Sequence, residues 1–230
     1  MKTFSRWVRN ILIFFFTSTI LAVVILKYIP VYITPLMLIR CVEAVIDGET
    51  PEINHHWIPL ERISHNLPQA VMASEDNLFL KHRGFDLEQI QKAQIEAQEG
   101  KRQRGASTIS QQTARNVFLW QKRSWLRKGL EAYFTFLIET IWGKERIMEV
   151  YLNSIEMGKG IYGAEAVARI NFHTSPDKLT RDQSAYIAVS LPNPIVRDSA
   201  RPSARMRKMH KTILKRMKQI DQFPKEVCAK

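Results

Sequence analysis

The chain has 230 residues, of which 34 are Lys or Arg and 22 are Asp or Glu, so its formal net charge is +12. Once an apolar N-terminal segment is set aside, the remaining length argues against several domains and for a single catalytic or binding domain. The positive charge favours an anionic partner, and nucleic acid, a membrane surface and a phosphorylated substrate all qualify.

The first predicted element is a membrane-spanning helix. The stretch from Ile11 to Leu26 contains no charged residue, and the apolar run resumes after Lys27, which is long enough to cross a bilayer. A cleaved signal peptide is the alternative, but the stretch exceeds a usual signal core and no clear small-residue cleavage site follows it. We therefore predict a cytoplasmic tail over 1–10, a transmembrane anchor over 11–29 and a juxtamembrane segment over 30–54.

Charged residues beside this segment predict its orientation. Lys2, Arg6 and Arg9 precede it, and such positive flanks stay in the cytoplasm. The rest of the chain then lies on the periplasmic or extracytoplasmic side of the inner membrane, so no nucleic acid is expected as a partner.

The rest of the chain, over 55–230, shows helical rather than alternating spacing and predicts an all-α domain. Two apolar stripes are predicted to face its core: Leu87, Ile90, Ala93 and Ala97, ended by Gly100, and Leu130, Phe134, Leu137, Ile138 and Ile141, ended by Gly143. Further on, Thr180 and Gln183 form a capping box ahead of an apolar helix that stops at Pro192.

A last predicted helix has an apolar face within a basic rim. Its apolar face consists of Met206, Met209, Ile213, Met217 and Ile220. Such a helix either lies on a membrane surface or packs on the domain with a solvated basic rim, and the second interpretation is slightly favoured.

Cysteine and histidine give little indication of a site. Cys41 and Cys228 show neither a paired framework nor metal-ligand spacing, and a disulfide between them is not favoured. His55 and His56 have no accompanying ligand cluster, so a loop pair is a better interpretation than a metal site.

Three polar segments in the middle of the chain each allow two interpretations. In EDNLFLKHRGFD, Glu75 and Asp76 are either solvated at a helix end or functional. Further on, Gln111 and Arg115 share one face of a helix whose start contains Ser107 and Thr108. That face is either exposed surface or, with the free backbone donors of the helix start, suited to a phosphate.

The third segment places Arg127, Lys128 and Glu131 three or four residues apart on one helix face, where they meet. This arrangement is either a surface ion-pair cluster, which contributes little to stability, or a second carboxylate held among cations.

Taken in order, four segments resemble the glycosyltransferase family 51 domain of peptidoglycan polymerases. The matching residues are Glu75, Asp76, Phe79, His82 and Gly84 in the first; Gly105, Ser107, Thr108, Ile109, Gln111 and Gln112 in the second; Arg127, Lys128 and Glu131 in the third; and Tyr151, Leu152, Asn153, Gly158 and Gly163 in the fourth. With one anchor and no second domain, the chain looks like a monofunctional member of this family.

This resemblance implies an all-α, lysozyme-like domain with one N-terminal transmembrane helix and a role in peptidoglycan polymerisation. The implied catalytic residues are Glu75 and Glu131. The implied substrate-binding residues are Asp76, Phe79, His82, Gly84, Ser107, Thr108, Gln111, Gln112, Arg115, Asn116, Arg123, Arg127, Lys128 and Asn153. The implied partners are lipid II, the growing glycan strand, membrane lipid and other cell-wall synthesis or divisome proteins.

The roles implied for these residues follow the chemistry of glycosyl transfer. Glu75 takes the proton of an attacking sugar hydroxyl, and Arg115, Arg123 and Lys128 stabilise the departing pyrophosphate. Glu131 either orients these cations or helps to hold a divalent cation, Mg²⁺ or Mn²⁺, and no organic cofactor is expected.

Two positions depart from the family pattern, which usually has Lys at Arg115 and Tyr at Asn171. We expect the first to alter the contact with phosphate and the second to alter local packing. Two alternative functions stay open at this stage: a lytic muramidase, which also uses a carboxylate beside a sugar, and a membrane-tethered glycan-binding or scaffold protein.

Overall fold

The computed structural model describes residues 2–100 and 107–229, and Gly105 of the second motif lies outside them. Most of the described chain is helical, and the predicted all-α class is confirmed. The helices are α1 (Lys2–Tyr28), α2 (Pro35–Ile46), α3 (Asn66–Glu75), α4 (Leu87–Gln98), α5 (Ile109–Phe118), α6 (Trp125–Ile141), α7 (Lys144–Ser154), α8 (Gly163–Phe172), α9 (Arg181–Ser190) and α10 (Ala204–Arg216). Short 3-10 turns cover Leu60–Arg62, Pro176–Lys178 and Lys225–Val227.

A small three-stranded sheet was not predicted from the sequence. It consists of β1 (Asn54–His55), β2 (Glu156–Gly158) and β3 (Ile161–Tyr162), in the order β1-β3-β2. β3 runs parallel to β1 and antiparallel to β2. Strands of two or three residues are too short to show the alternation that reveals a strand in a sequence.

Two helix groups form the core. In one, α3 packs against α9 and α10, and in the other α5 packs against α6 and α7. The predicted inward face of α6 is confirmed, since Phe134, Leu137 and Ile138 are buried. The predicted capping box at the start of α9 is also confirmed: the Thr180 hydroxyl accepts from the Gln183 N–H, and Gln183 Oε1 accepts from the Thr180 N–H.

The apolar face of α10 packs on the domain. Met206, Ile213 and Met217 are buried in a cluster with Ala70 and Ala73 of α3. This finding favours domain packing over the alternative of a helix that lies in a membrane surface.

The predicted burial of α4 is wrong. No residue of this helix is buried, and Leu87 is 74% exposed. The helix does begin at a cap, because the Asp86 carboxylate accepts from the Gln89 N–H, and it ends before Gly100. Hydrophobic spacing reports which face of a helix is apolar, but it does not report whether another element covers that face.

α1 contains the stretch Thr3–Tyr28, which among the described residues is the one helix long and apolar enough to cross a membrane. Its C-terminal half contacts the domain: the Trp142 Nε1–H donates to the Val23 carbonyl at 2.7 Å, and the hydroxyls of Thr19 and Tyr133 lie 2.9 Å apart. Arg146 Nη2 donates to the Leu26 carbonyl at 2.8 Å, which satisfies a carbonyl that a helix end leaves free. The helix is therefore docked on α6 and α7.

Candidate active site

Glu75 is the last residue of α3 and is held by two hydrogen-bond donors. Gln112 Nε2 of α5 donates to Glu75 Oε2 at 3.2 Å, and the Ser74 hydroxyl donates to Oε1 at 3.0 Å. Ser74 also lies 3.1 Å from the Ala188 carbonyl of α9. The carboxylate is therefore fixed where α3, α5 and α9 meet, and it is only partly buried.

A buried tyrosine extends this contact. The Tyr151 hydroxyl of α7 donates to Gln112 Oε1 at 3.3 Å, so the amide nitrogen of Gln112 faces Glu75. Burial raises the pKa of the Tyr151 phenol well above its usual value, and the charge of Glu75 acts in the same direction. The phenol therefore stays protonated and remains a donor to Gln112.

Burial also raises the pKa of the Glu75 carboxyl. The hydrogen bonds from Gln112 and Ser74 and the charge of Arg197 act in the opposite direction. A carboxylate with a raised pKa is a stronger base than a solvated one, which suits proton abstraction near neutral pH.

Asp76 points away from Glu75 into the interior. Its carboxylate accepts from His82 Nε2 at 2.9 Å and from the Ile109 N–H at 3.0 Å. Because His82 Nδ1 accepts from the Gly84 N–H at 3.0 Å, the ring donates to Asp76 through Nε2–H. Asp76 and His82 thus connect the end of α3 to the start of α5.

Gly84 lies in this connection for a steric reason. Its φ is +91°, and a Cβ there would lie 2.8 Å from Thr135 Cγ2. The Thr108 hydroxyl donates to the Gly84 carbonyl at 2.7 Å, so α5 starts against this backbone.

For the start of α5, the sequence left open whether its donors face solvent or suit a phosphate. Thr108 and Gln111 form a capping box, and Asp76 occupies the Ile109 N–H. Thr108 and Gln111 are buried, so this helix end is occupied by the chain itself. Ser107, at its edge, is partly exposed.

Glu131 lies one to two turns into α6 and is almost completely buried. Arg127 Nη1 donates to its Oε2 at 2.6 Å, and Lys128 Nζ pairs with its Oε1. Arg127 is buried, whereas the Lys128 side chain is about half exposed. The predicted contact of these three residues is confirmed, and Glu131 pairs with two cations at once.

Arg115 of α5 lies beside this cluster. Burial lowers the pKa of its guanidinium, while the charge of Glu131 raises it and that of Arg127 lowers it. The positive charge of Arg123, in the exposed connection before α6, also reaches Arg115. Four cations are therefore gathered around one buried carboxylate.

Several donors in this region lack an acceptor. Among the described residues, buried Arg115 Nε, Asn116 Nδ2 and Arg127 Nε have no hydrogen-bond partner. An unsatisfied buried donor costs about 1–3 kcal/mol, so these three donors are available to an acceptor that a ligand supplies. The arrangement on α5 and α6 suits an anion with several oxygens.

Two predicted site residues have their side chains inside the fold. Phe79 is fully buried with Lys144 over its ring at 4.6 Å. Asn153 is fully buried, with Oδ1 accepting from the Ile58 N–H at 3.0 Å and Nδ2 donating to the Ile58 carbonyl at 2.9 Å. The structure therefore places both among residues that shape the site rather than on its surface.

Sequence reasoning missed two participants. Tyr151 was matched as part of a motif but not assigned to the site, although it orients Gln112. Arg197, in the connection after α9, affects the Glu75 charge and is held by its Nη1 hydrogen bond to the Val189 carbonyl at 3.0 Å. No local signal marks Arg197, because its position depends on the packing of α3 against α9.

The donor set around Glu131 does not fit a divalent cation. Both carboxylate oxygens already pair with Arg127 and Lys128, and a metal would have to displace a cation. In the described part of the chain, no group of three or more His, Cys, Asp or Glu residues is arranged to hold a metal.

Comparison with known proteins shows the family of this chain. A family model described as Transglycosylase matches residues 43–218. The chain belongs to the transglycosylase family. It is therefore a glycosyltransferase enzyme, and its Glu75 and cation cluster lie within the matched region.

Curated relatives of this transglycosylase cover almost its whole length. A protein named biosynthetic peptidoglycan transglycosylase from Bacteroides thetaiotaomicron is 58% identical over 224 residues, which is 97% of this chain and 90% of the relative. Proteins of the same name from Caulobacter vibrioides and Pseudomonas syringae are 50% and 43% identical, over 90% and 96% of this chain and 90% and 93% of the relatives.

Proposed function

We propose that this transglycosylase polymerises lipid II into the glycan strands of peptidoglycan in cell-wall biosynthesis. The 4-hydroxyl of the acceptor sugar attacks C1 of the donor sugar with inversion, and undecaprenyl pyrophosphate leaves. One observation carries the proposal: a fixed carboxylate with a raised pKa, Glu75, lies across α5 from a cluster of cations and unpaired donors. The names of the relatives support the same substrate class.

Glu75 acts as the general base. A sugar hydroxyl is a weak nucleophile at neutral pH, so a carboxylate within hydrogen-bond reach removes its proton as the new bond forms. Gln112 and Ser74 hold the two carboxylate oxygens, which limits the orientations that the base adopts. The proton leaves the hydroxyl oxygen and moves to Glu75.

Cations of α5 and α6 stabilise the leaving group. The pyrophosphate gains negative charge as the C1–O bond breaks, and donors fixed in advance stabilise that charge without reorganisation. Arg115, Asn116 and Arg127 have free buried donors, and Lys128 and Arg123 add exposed positive charge at the edge. Glu131 is a positioning residue that keeps Arg127 and Lys128 in place.

A lytic muramidase and a glycan-binding scaffold are the alternatives. A hydrolase whose substrate lacks pyrophosphate has no use for the unpaired donors of Arg115 and Arg127, and a scaffold has no use for a base. Separate reactions with purified lipid II and with preformed glycan strands distinguish the three: the proposal predicts long glycan from lipid II, a muramidase cleaves the preformed glycan, and a scaffold changes neither.

Membrane attachment fits a lipid-linked substrate. We propose that α1 crosses the inner membrane once with its N-terminus in the cytoplasm, because Arg6 and Arg9 flank that end. The catalytic domain then lies on the periplasmic or extracytoplasmic side, at the surface of the bilayer that carries the lipid.

Replacement of Glu75 tests the assignment of the base. Glu75→Gln keeps the volume and a hydrogen-bonding group but cannot accept the proton, so we expect polymerisation to fall about 10²-fold or more. Because folding raises the pKa of Glu75, its charge opposes folding above its ordinary pKa, and Gln removes that cost. The Tm at neutral pH is therefore expected to be no lower than that of the wild type, and near-normal glycan synthesis by this variant contradicts the proposal.

A further inference from the structure

The segment 201–218 around α10 is strongly basic. It contains no Asp or Glu and eight of the 34 Lys and Arg residues of the chain, which leaves 26 cations against 22 carboxylates elsewhere. The eight, named here the α10 basic surface, are Arg201, Arg205, Arg207, Lys208, Lys211, Lys215, Arg216 and Lys218. Most of the net positive charge therefore lies in this one segment.

All eight side chains of the α10 basic surface are exposed, and none forms an ion pair with a described carboxylate. Of the neighbouring carboxylates, Asp221 pairs with Lys81 at 3.1 Å, and the exposed Asp182 lies 3.0 Å from His210 Nε2. Ordinary surface cations are interspersed with acids, as Lys92 and Lys159 are with Glu88 and Glu49. The α10 basic surface lacks such neutralisation and attracts polyanions.

The helix beneath the α10 basic surface is packed on the domain, and, in the described chain, the surface carries no exposed large hydrophobic residue. Met206, Ile213 and Met217 fix α10 from beneath, and Gln69 of α3 donates to the Met217 carbonyl at 3.1 Å. No large hydrophobic residue is exposed in the described part of 197–229. A helix that enters a bilayer surface needs such residues, so the pattern fits a dissolved polyanion better than a lipid surface.

α10 contacts the helix that ends at the proposed base, Glu75. Gln69 precedes Glu75 by six residues on α3, or roughly 9 Å along the helix axis. α1 packs on α6 and α6 packs on α5, whereas α10 packs on α3 and α9. Because α10 packs on α3, whose last residue is Glu75, the α10 basic surface is within reach of a polymer that extends from the site.

We infer that the α10 basic surface binds the nascent glycan strand through the carboxylates of its peptide side chains. This inference rests on the proposed function, because only a peptide-bearing polysaccharide brings a regular series of carboxylates to this side of the site. Several weak ionic contacts along a polymer add up, so the surface retains the strand between successive additions.

Equilibrium binding tests the inference without turnover. Full-length protein in nanodiscs of zwitterionic lipid is mixed with uncrosslinked glycan strands, either with intact peptides or with the peptides removed by an amidase. We expect the peptide-bearing strands to bind about tenfold more tightly at low salt, with an advantage that shrinks as salt rises. The variant with Arg205→Gln, Lys208→Gln, Lys211→Gln and Lys215→Gln is expected to lose that advantage.

A matched variant controls for net charge. Arg62→Gln, Lys92→Gln, Lys159→Gln and Lys178→Gln remove the same number of exposed cations from other places, and this protein is expected to bind like the wild type. The inference is overturned if both variants lose the tighter binding of peptide-bearing strands equally. It is also overturned if the wild type binds strands with and without peptides equally well.

A further experiment distinguishes binding of the glycan strand from binding of anionic lipid. Chemical acetylation of Lys208, Lys211 and Lys215 is compared in zwitterionic and phosphatidylglycerol nanodiscs, with and without strands. Protection by strands in zwitterionic discs supports the inference, whereas protection only by phosphatidylglycerol assigns the surface to lipid and overturns it. Polymerisation of lipid II by the wild type is measured separately, so its absence contradicts the proposed function and not the binding result.

Discussion

At the scale of single residues, the orientation of one amide controls the environment of the base. The Tyr151 hydroxyl donates to Gln112 Oε1, which leaves the Gln112 Nε2 toward Glu75. Without that hydroxyl the amide loses its preferred orientation, and a rotated amide would bring an oxygen against the carboxylate. Tyr151 is thus a positioning residue that acts through Gln112.

The variant Tyr151→Phe tests this contact while keeping the buried ring. A weaker hydrogen bond to the charged carboxylate raises the pKa of Glu75 further, and a base must be deprotonated to act. On acidification, the variant is therefore expected to lose activity at a higher pH than the wild type does. At neutral pH, its activity is expected to be about two- to tenfold lower. Rate against pH measures the shift. Tyr186→Phe, whose ring stacks on His210, is the matched control, and an unmoved pH profile in Tyr151→Phe contradicts the role.

Arg115 permits a graded test of the leaving-group contact. If its guanidinium contacts a pyrophosphate oxygen, Lys supplies the same charge without the planar fork, so Arg115→Lys is expected to remain active. Arg115→Ala removes a charge-assisted hydrogen bond of about 1.5–3 kcal/mol, which corresponds to about a ten- to hundredfold loss. The loss appears in kcat if the contact strengthens in the transition state and in KM if it does not. If the proteins with Arg, Lys and Ala at position 115 polymerise lipid II at equal steady-state rates, Arg115 does not belong to the site.

At the scale of elements, α6 connects the site to α1, a helix that is long and apolar enough to cross a membrane. One part of this helix carries the Glu131 cluster, and another contacts α1 through Tyr133, whose hydroxyl lies 2.9 Å from that of Thr19. Asn171, which departs from the family pattern, makes a second contact between elements. Its Nδ2 donates to the Ser199 hydroxyl at 2.8 Å and joins α8 to the segment before α10. This contact accounts for a polar side chain where the family usually has an aromatic one.

Glu131→Gln tests whether the buried carboxylate of α6 serves folding as well as catalysis. Removing one partner of a buried ion pair leaves Arg127 uncompensated, which costs about 3–5 kcal/mol of unfolding free energy. We expect a lower Tm together with a marked loss of polymerisation. Thermal unfolding and lipid II turnover, measured on the same sample, separate the two effects. If the Glu131→Gln protein is folded and fully active, the positioning role is contradicted. If the protein partly unfolds but its folded fraction has normal activity, the cluster serves stability alone.

At the scale of the whole molecule, one anchor and one catalytic domain predict a defined topology. Because Arg6 and Arg9 flank the N-terminal end of α1, we propose that this end stays in the cytoplasm, and the residues after Tyr28 are then expected outside the inner membrane. Protease added to spheroplasts should therefore digest the catalytic domain, and detergent lysis serves as the control for total cleavage. Cleavage confined to the N-terminal tail contradicts this orientation.

The features that the sequence alone predicted correctly depend on short-range chemistry. These features are the apolar N-terminal helix, the Thr180–Gln183 capping box and the contact of Arg127, Lys128 and Glu131, and each involves a continuous run or residues at most a few positions apart. Helix geometry brings residues three and four apart together wherever the helix lies, so these predictions did not require the fold.

The tertiary structure alone decided what surrounds each element. It left α4 uncovered, buried the apolar face of α10, and filled the start of α5 with Asp76, 33 residues earlier in the chain. Likewise, Glu75 meets Gln112 from 37 residues away, and Gln112 meets Tyr151 from 39 residues away. Which groups approach a carboxylate determines its pKa and orientation, and that approach depends on how the helices pack rather than on the order of residues along any one of them.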